Sequence, residues 1–237
     1  MIRRLLPALI AFAAIAGFVP STAAAGRECE GLMICIPVVG PWVQVNGGGK
    51  ATYYQLSCPG RGQVIGGLDA DRAGPLGITF LGALGSPVGP GVTTARSAVF
   101  VAQTTRSLAG FRPLLGCIPA GGGGGRERTV YEPSRTLQAA APVPEATVWR
   151  VKDVRLKDRQ REQVSHACRA GERLLSFSSS IAFRTARPPS LATLGSVRAK
   201  PRRVGGRIVV DVRSGIARPT KVKVDVQVQA VCAKGQS

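Results

Sequence analysis

The feature that most constrains this chain is the placement of its six cysteines, Cys29, Cys35, Cys58, Cys117, Cys168 and Cys232. Two of the intervals are long and nearly equal: 59 residues from Cys58 to Cys117 and 64 from Cys168 to Cys232. Whether these sulfurs are bridges, metal ligands or nucleophiles depends on the compartment. The first 25 residues speak to that. Arg3 and Arg4 form a positive start, Leu5 to Val19 is an apolar run, and Ala23-Ala24-Ala25 offers the small-residue cleavage pattern before Gly26. The run is shorter than the roughly 20 residues a membrane span needs. Residues 1–25 are therefore expected to be a removed export signal, with no transmembrane anchor left after cleavage. Gly26-Arg27-Glu28 before Cys29 does not fit a lipoprotein signal. The expected location is secreted or associated with the cell envelope, where an even cysteine count favours disulfides.

The near-equal intervals carry matching flanks. The first copy opens Tyr54-Gln55-Leu56-Ser57-Cys58-Pro59-Gly60-Arg61-Gly62-Gln63-Val64-Ile65-Gly66-Gly67. The second opens Gln163-Val164-Ser165-His166-Ala167-Cys168-Arg169-Ala170-Gly171-Glu172-Arg173-Leu174-Leu175-Ser176. Each has a polar lead-in, a Cys, a Gly-containing turn and a pair of aliphatics. Leu81-Gly82-Ala83-Leu84-Gly85-Ser86 matches Leu191-Ala192-Thr193-Leu194-Gly195-Ser196 loosely, and each copy closes on an aliphatic strand that reaches a Cys. A duplication then selects Cys58–Cys117 and Cys168–Cys232, leaving Cys29–Cys35 as a short loop. In the chain-entropy description each long loop contributes about 4 kcal/mol and the short one about 2.

The Cys58-Pro59-Gly60-Arg61-Gly62-Gln63-Val64-Ile65-Gly66-Gly67 stretch, closed by Cys117, resembles a repeat of exported bacterial proteins with a "CPxG…GG…C" pattern. The segment from Cys29 to Val43 is similar to the N-terminal segment of those proteins. The resemblance implies a disulfide-stapled β repeat and brings no activity with it. The second copy departs from it, with Ser176-Phe177 read at the place of the glycine pair.

Between the copies, Gly121 to Gly125 is a run of glycines, and Arg126 to Ala146 continues it with Pro133, Pro142 and Pro144. So long a stretch without periodicity reads as a linker. The expected organisation is a signal (1–25), an N-terminal segment (26–50), a first β unit (51–120), a Gly/Pro-rich linker (121–146) and a second, basic β unit (147–237). Strand signals dominate. Lys221 to Gln229 alternates Val222, Val224, Val226 and Val228 with Lys223, Asp225, Gln227 and Gln229, the pattern of a half-buried strand. Arg207 to Arg213 is β-branched, and Ser97 to Thr104, Ile78 to Leu84 and Val148 to Leu156 are weaker candidates. No capped amphipathic helix stands out; Gln160 to Arg173 has helix formers, but the repeat favours a strand there. The fold class expected is all-β: two small disulfide-stapled, sandwich-like units with pseudo-symmetry, small enough for a covalent staple to matter. Whether they pack as separate domains or as one body is left open.

The inventory for catalysis is thin. His166 is the only histidine, so multi-His metal sites are excluded, and neither a metal nor a cofactor is expected. Asp69 and Asp71, at i and i+2, are candidates for a calcium site or acid–base pair, but no EF-hand spacing accompanies them. Gly60, Gly62, Gly66 and Gly67 open no helix and lack the P-loop Lys, so they read as turns. Trp42, Trp149, Tyr53, Tyr54 and Tyr131 are the candidates for stacking on sugars, Tyr53-Tyr54 foremost because adjacent strand residues face opposite sides.

Charge is the strongest functional signal. The formal net charge is +19. Residues 26–120 hold 7 basic and 4 acidic residues; residues 121–237 hold 23 and 9. The dense runs supply the candidate polyanion-binding residues: Arg150, Lys152, Arg155, Lys157 and Arg159, then Arg198, Lys200, Arg202, Arg203 and Arg207. A strand carrying alternate basics presents a cationic stripe to anionic envelope polymers. No nucleic-acid motif is present, and the aromatic interleaving of single-strand binders is missing. The leading expectation is a non-enzymatic exported protein with a structural or binding role. The alternatives are a polyanion- or glycan-binding module acting through the basic second unit, and a secreted hydrolase using Asp69, Asp71 and Glu172.

Overall fold

The computed structural model describes residues 27–82, 95–121, 137–139, 147–157, 161–216 and 222–234. The export-signal reading of residues 1–25 and most of the linker lie outside them, as do Tyr131 and Arg159. The protein is all-β. Its strands are β1 (Ile36–Val39), β2 (Trp42–Asn46), β3 (Thr52–Ser57), β4 (Gln63–Ala73), β5 (Gly77–Gly82), β6 (Ser97–Gln103), β7 (Leu108–Pro119) and β8 (Leu137–Ala139). They continue with β9 (Thr147–Arg155), β10 (Arg161–Ala167), β11 (Glu172–Arg184), β12 (Val197–Val204), β13 (Arg207–Ser214) and β14 (Lys223–Lys234). All the segments read as strands from pattern, including Gln160 to Arg173, contain one.

The two halves follow the same path strand for strand. In the first half β4 and β2 flank β7, while β3 and β5 flank β6. In the second half β11 and β9 flank β14, while β10 and β12 flank β13. β1 and β2 both run antiparallel to β7, interrupted at Gly40-Pro41, and together match β9. The first sandwich thus takes a strand from residues 36–46, within the segment read as N-terminal. It also takes one from the stretch read as linker, since β8 lies parallel to β5. Even an irregularity is repeated. The β4–β7 register shifts between Ile65 and Gly67, just past the Ile65↔Cys117 pair, and the β11–β14 register shifts between Leu174 and Ser176, just past Leu174↔Cys232. This bulge fixes the true alignment: Leu175-Ser176, not Ser176-Phe177, occupies the place of Gly66-Gly67. It also undoes the Leu81/Leu191 match. Leu81 lies within β5, whereas Leu191–Gly195 is a short helix, α1, that precedes β12. Ser190 caps α1, its hydroxyl accepting from the Thr193 N–H at 3.1 Å.

The three disulfides close Cys29–Cys35, Cys58–Cys117 and Cys168–Cys232, the pairing that the repeat selects. The halves are joined through β2 and β11, paired at Val43↔Ala182 and Trp42↔Phe183. One seven-stranded sheet therefore runs β4, β7, β1/β2, β11, β14, β9. Because every neighbour is antiparallel, advancing three strands reverses the strand direction. The halves are related by a half-turn about an axis across the sheet and a shift of about 14 Å, three strand spacings.

That operation flips the face used for packing. The first core, with Val43, Ile65, Leu68, Phe100, Phe111 and Leu115, lies on one side of the large sheet. The second, with Trp42, Ile181, Phe183, Leu194, Val226 and Val228, lies on the other. Phe100, Phe111 and Phe183 are fully buried, and burying a side chain of this size contributes about 1.5–3 kcal/mol. The half-turn also corrects the half-buried reading of the Lys221–Gln229 pattern. Asp225, Gln227 and Gln229 are 5%, 1% and 0% exposed. The edge strand β3 of the first sandwich lies over them. Gln227 accepts from the Gln55 N–H at 2.6 Å and donates to its carbonyl at 2.9 Å, and Gln229 donates to the Tyr53 carbonyl at 2.9 Å. Two amide side chains take the place of a neighbouring strand for the edge of β3.

Candidate anion-binding surface

β12 and β13 form a hairpin closed at Gly205-Gly206, and β10 pairs with the other side of β13. The inner face of this three-stranded sheet is apolar: Val197, Ile208, Val210, Val212 and Val164 are all buried. Strand alternation then sends the intervening residues outward. The register places Arg198, Arg213 and Arg161 side by side across the three strands. The next rows are Lys200, Asp211 and Gln163, then Arg202, Val209 and Ser165, with Arg207 at the turn end. Six cations thus share one outward face with a single carboxylate. Asp211 accepts from Gln163 Nε2 at 2.8 Å and Arg202 Nε at 3.1 Å. Those bonds hold its carboxyl below its ordinary range, led by Gln163.

Among the described residues, Arg161, Arg198 and Arg213 make no ion pair with a carboxylate. Directly opposed side chains on neighbouring strands stand about 4.5–5.5 Å apart at Cβ, and like charges there repel. A row of three arginines in that arrangement is stabilised by an anion laid across it.

The other candidate cations are placed differently. Arg150 is paired with Glu172, and Arg155 and Arg184 both with Asp225. Lys152 donates to the Ser165 carbonyl at 3.0 Å and Arg203 to the Gly205 carbonyl at 3.0 Å. Lys157 is exposed beyond the end of β9, its backbone N–H donating to Glu162 at 3.1 Å. Of the polyanion candidates, Arg150 and Arg155 have their charge met by carboxylates of their own sheet. Arg161 and Arg213, which belong to the face, were not singled out from sequence. Arg161 closes a basic run and Arg213 a β-branched one, and only strand register brings them together.

The carboxylates proposed for hydrolysis do not converge. Asp69 and Asp71 lie on β4 rather than in a turn. Asp71 is bound by Arg112, whose guanidinium also lies 5.1 Å from the Trp42 ring centre. Asp69 is 5% exposed and lies beneath Glu28, itself 3% exposed. Burial pushes both carboxyls up. Glu172 is in the other sandwich, and its bond from Arg150 holds it down at about 2. It forms a cluster with Cys168 and Cys232, but those sulfurs are joined as a disulfide and offer no thiolate. His166 on β10 is half-buried, and burial pushes its pKa down. Of the aromatics, Tyr54 is buried, Trp42 is in the second core, and Tyr53 packs on Trp149 with ring centres 5.4 Å apart. They form the seam between the sandwiches rather than a sugar platform.

One concavity of about 400 Å³ opens where the sandwiches meet. Gln44 and Asn46 of β2, Ser107 and Leu108 before and in β7, Ile181 of β11, and Arg198 of β12 line it. Arg198 therefore belongs to both the cationic row and the pocket wall. No described helix is long and apolar enough to cross a membrane. No family model, curated protein or solved structure matches the chain.

Proposed function

We propose that this is an exported binding protein that holds anionic polymers of the cell envelope on the outer face of the β10–β13–β12 sheet. The observation that carries this reading is the Arg161–Arg213–Arg198 row, three cross-strand neighbours that make no ion pair with a carboxylate among the described residues. The three disulfides fit an oxidising compartment, and the first 25 residues supply the export reading. The carboxylates proposed for hydrolysis favour this reading less: Asp71 and Glu172 are each tied to an arginine, Asp69 is buried beneath Glu28, and Glu172 lies in the other sandwich.

The test is retention of the full, disulfide-bonded chain on an anionic column as salt rises. Each cation that releases a counterion contributes about 0.7 to the slope of log affinity against log salt on a flexible polyanion. The triple variant R161Q/R198Q/R213Q should therefore lower the slope by about two. A charge-matched variant on the first sandwich, K50Q/R61Q/R106Q, should change it little. Equal losses in the two variants would show that net charge alone is read, and would overturn the proposal.

A further inference from the structure

The pocket beside the arginine row has a chemistry of its own. Its wall mixes two side-chain amides and a hydroxyl, from Gln44, Asn46 and Ser107, with an apolar patch from Leu108 and Ile181. The amides of Gln44 and Asn46 bond one another at 3.0 Å. Ile181 and Gln44 are nearly closed to solvent, whereas Asn46, Ser107 and Arg198 are exposed at the rim. Arg198 is the sole charged residue of the lining, and no aromatic ring lines it. The volume falls within the usual range for small-molecule sites, and the position between two packed units is where such sites commonly form.

These features discriminate among polyanions. Single-strand sites are built on aromatic side chains against which successive bases stack, and no ring lines this pocket. A lipid headgroup or phosphate chain has charge but little need of an amide pair beside an apolar patch. A sugar ring has both: hydroxyls for the exposed Asn46 and Ser107, the Asn46 amide being held by buried Gln44, and a C–H face for Leu108. Arg198 then meets an acid group on that ring, and successive acid groups fall on Arg213 and Arg161, about one strand spacing apart each. We propose that this concavity is a sugar subsite, and that the polymer held by the neighbouring face is a carboxylated polysaccharide. This inference rests on the anionic-polymer reading and adds the ligand class to it.

The test uses the full disulfide-bonded chain, calorimetry and four probes: an oligogalacturonate of defined length, a neutral maltooligosaccharide of equal length, inorganic polyphosphate and single-stranded DNA. Ser107 is exposed, so Ser107→Trp fills the pocket from the rim without entering the core. The expected result is preference for oligogalacturonate, with at least a tenfold loss in Ser107→Trp and unchanged binding of polyphosphate. Asn46→Ala, also at the exposed rim, should lose several-fold on oligogalacturonate alone, and serves if the Trp variant has a lowered melting temperature. Unchanged oligogalacturonate binding in both variants would overturn the subsite. So would tighter binding of polyphosphate or DNA by the wild-type chain. If R161Q/R198Q/R213Q nevertheless weakens every anionic probe, the cationic face stands while the sugar subsite falls. If that triple variant changes nothing, the face itself falls.

Discussion

The two sandwiches follow one chain path, repeat one bulge and carry one long disulfide each, yet they differ in what lies against the bulge. In the first, the turn Arg27–Cys29 and the Cys29–Cys35 loop lie on the sheet at Gly66, Gly67 and Gly116. A Cβ on Gly66 would meet Ile118 Cγ2 at 2.7 Å and Leu32 Cδ1 at 3.0 Å, and one on Gly67 or Gly116 would collide with the Glu28 carbonyl oxygen. In the second, nothing comparable among the described residues covers the bulge, and Leu175 is 42% exposed. The glycine pair is thus a requirement of the N-terminal cover rather than of the repeat. That explains why one copy keeps it and the other carries Leu175-Ser176.

Opening the long staples tests the equivalence of the copies and has the largest expected effect. C58A/C117A and C168A/C232A should each lower the unfolding free energy by about 4 kcal/mol, because their loops are of similar length. Denaturant melts of the two double variants check this. A difference of more than a factor of two would show that one sandwich holds residual structure that the other lacks. The next effect separates the copies. Gly67→Ala forces a methyl against the Glu28 carbonyl and should cost about 1–3 kcal/mol. Ser176→Ala at the equivalent exposed place should stay within about 0.5 kcal/mol. Equal costs would sink the account of the glycine pair.

A third effect concerns the opposite faces. Gln229 of the second sandwich aligns, through the Cys117/Cys232 equivalence, with Leu114 of the first. Gln229 also accepts from the Ser178 hydroxyl at 2.8 Å and donates to Gln227 Oε1 at 2.6 Å. Gln229→Ala leaves the Tyr53 carbonyl and Ser178 hydroxyl without it, which costs about 1–3 kcal/mol. The loss should appear as faster amide exchange on β3, whose Tyr53 lies 176 residues from Gln229 in sequence but against it in space. Unchanged exchange at Tyr53 and Gln55 would show that the amide pair does not hold the sandwiches together.

These contrasts mark what was legible in the sequence. Cysteine spacing and the Val222–Val228 alternation report short-range pattern and covalent reach, and they led to the fold class and the disulfides. The burial of Gln227 and Gln229 was not legible, because the strand that covers them lies 172 and 176 residues away and the residue types are those of a solvated face. The cationic face was half legible. Arg198, Lys200, Arg202 and Arg207 showed their spacing, but Arg161 and Arg213 join them only through register, and Arg150 and Arg155 were claimed by Glu172 and Asp225. The short helix α1 was missed although Ser190 after Pro188-Pro189 marks its start, because five residues carry no periodicity.

The smallest effect expected is a pH dependence of opposite sign in the two sandwiches. Glu28 faces Asp69 and Asp71 of β4 and Arg112 of β7, and burial raises its pKa. The folded chain therefore favours the protonated form: stability is greatest below the ordinary carboxylate range and falls as pH rises through the raised value. Glu172, held at about 2 by Arg150 and by the Arg169 N–H, behaves inversely. Its contribution is present above its ordinary value of 4.5 and is lost as pH falls toward 2. Glu28→Gln should raise the melting temperature at pH 7 by a few degrees and converge on wild type near pH 3. Glu172→Gln should lower it at pH 7 and converge only near pH 2. Thermal melts from pH 2 to pH 8 read both curves. Parallel curves for the two variants would mean that the buried carboxyl under the N-terminal cover is met by a partner at neutral pH, and that the contrast between covered and uncovered bulge does not extend to charge.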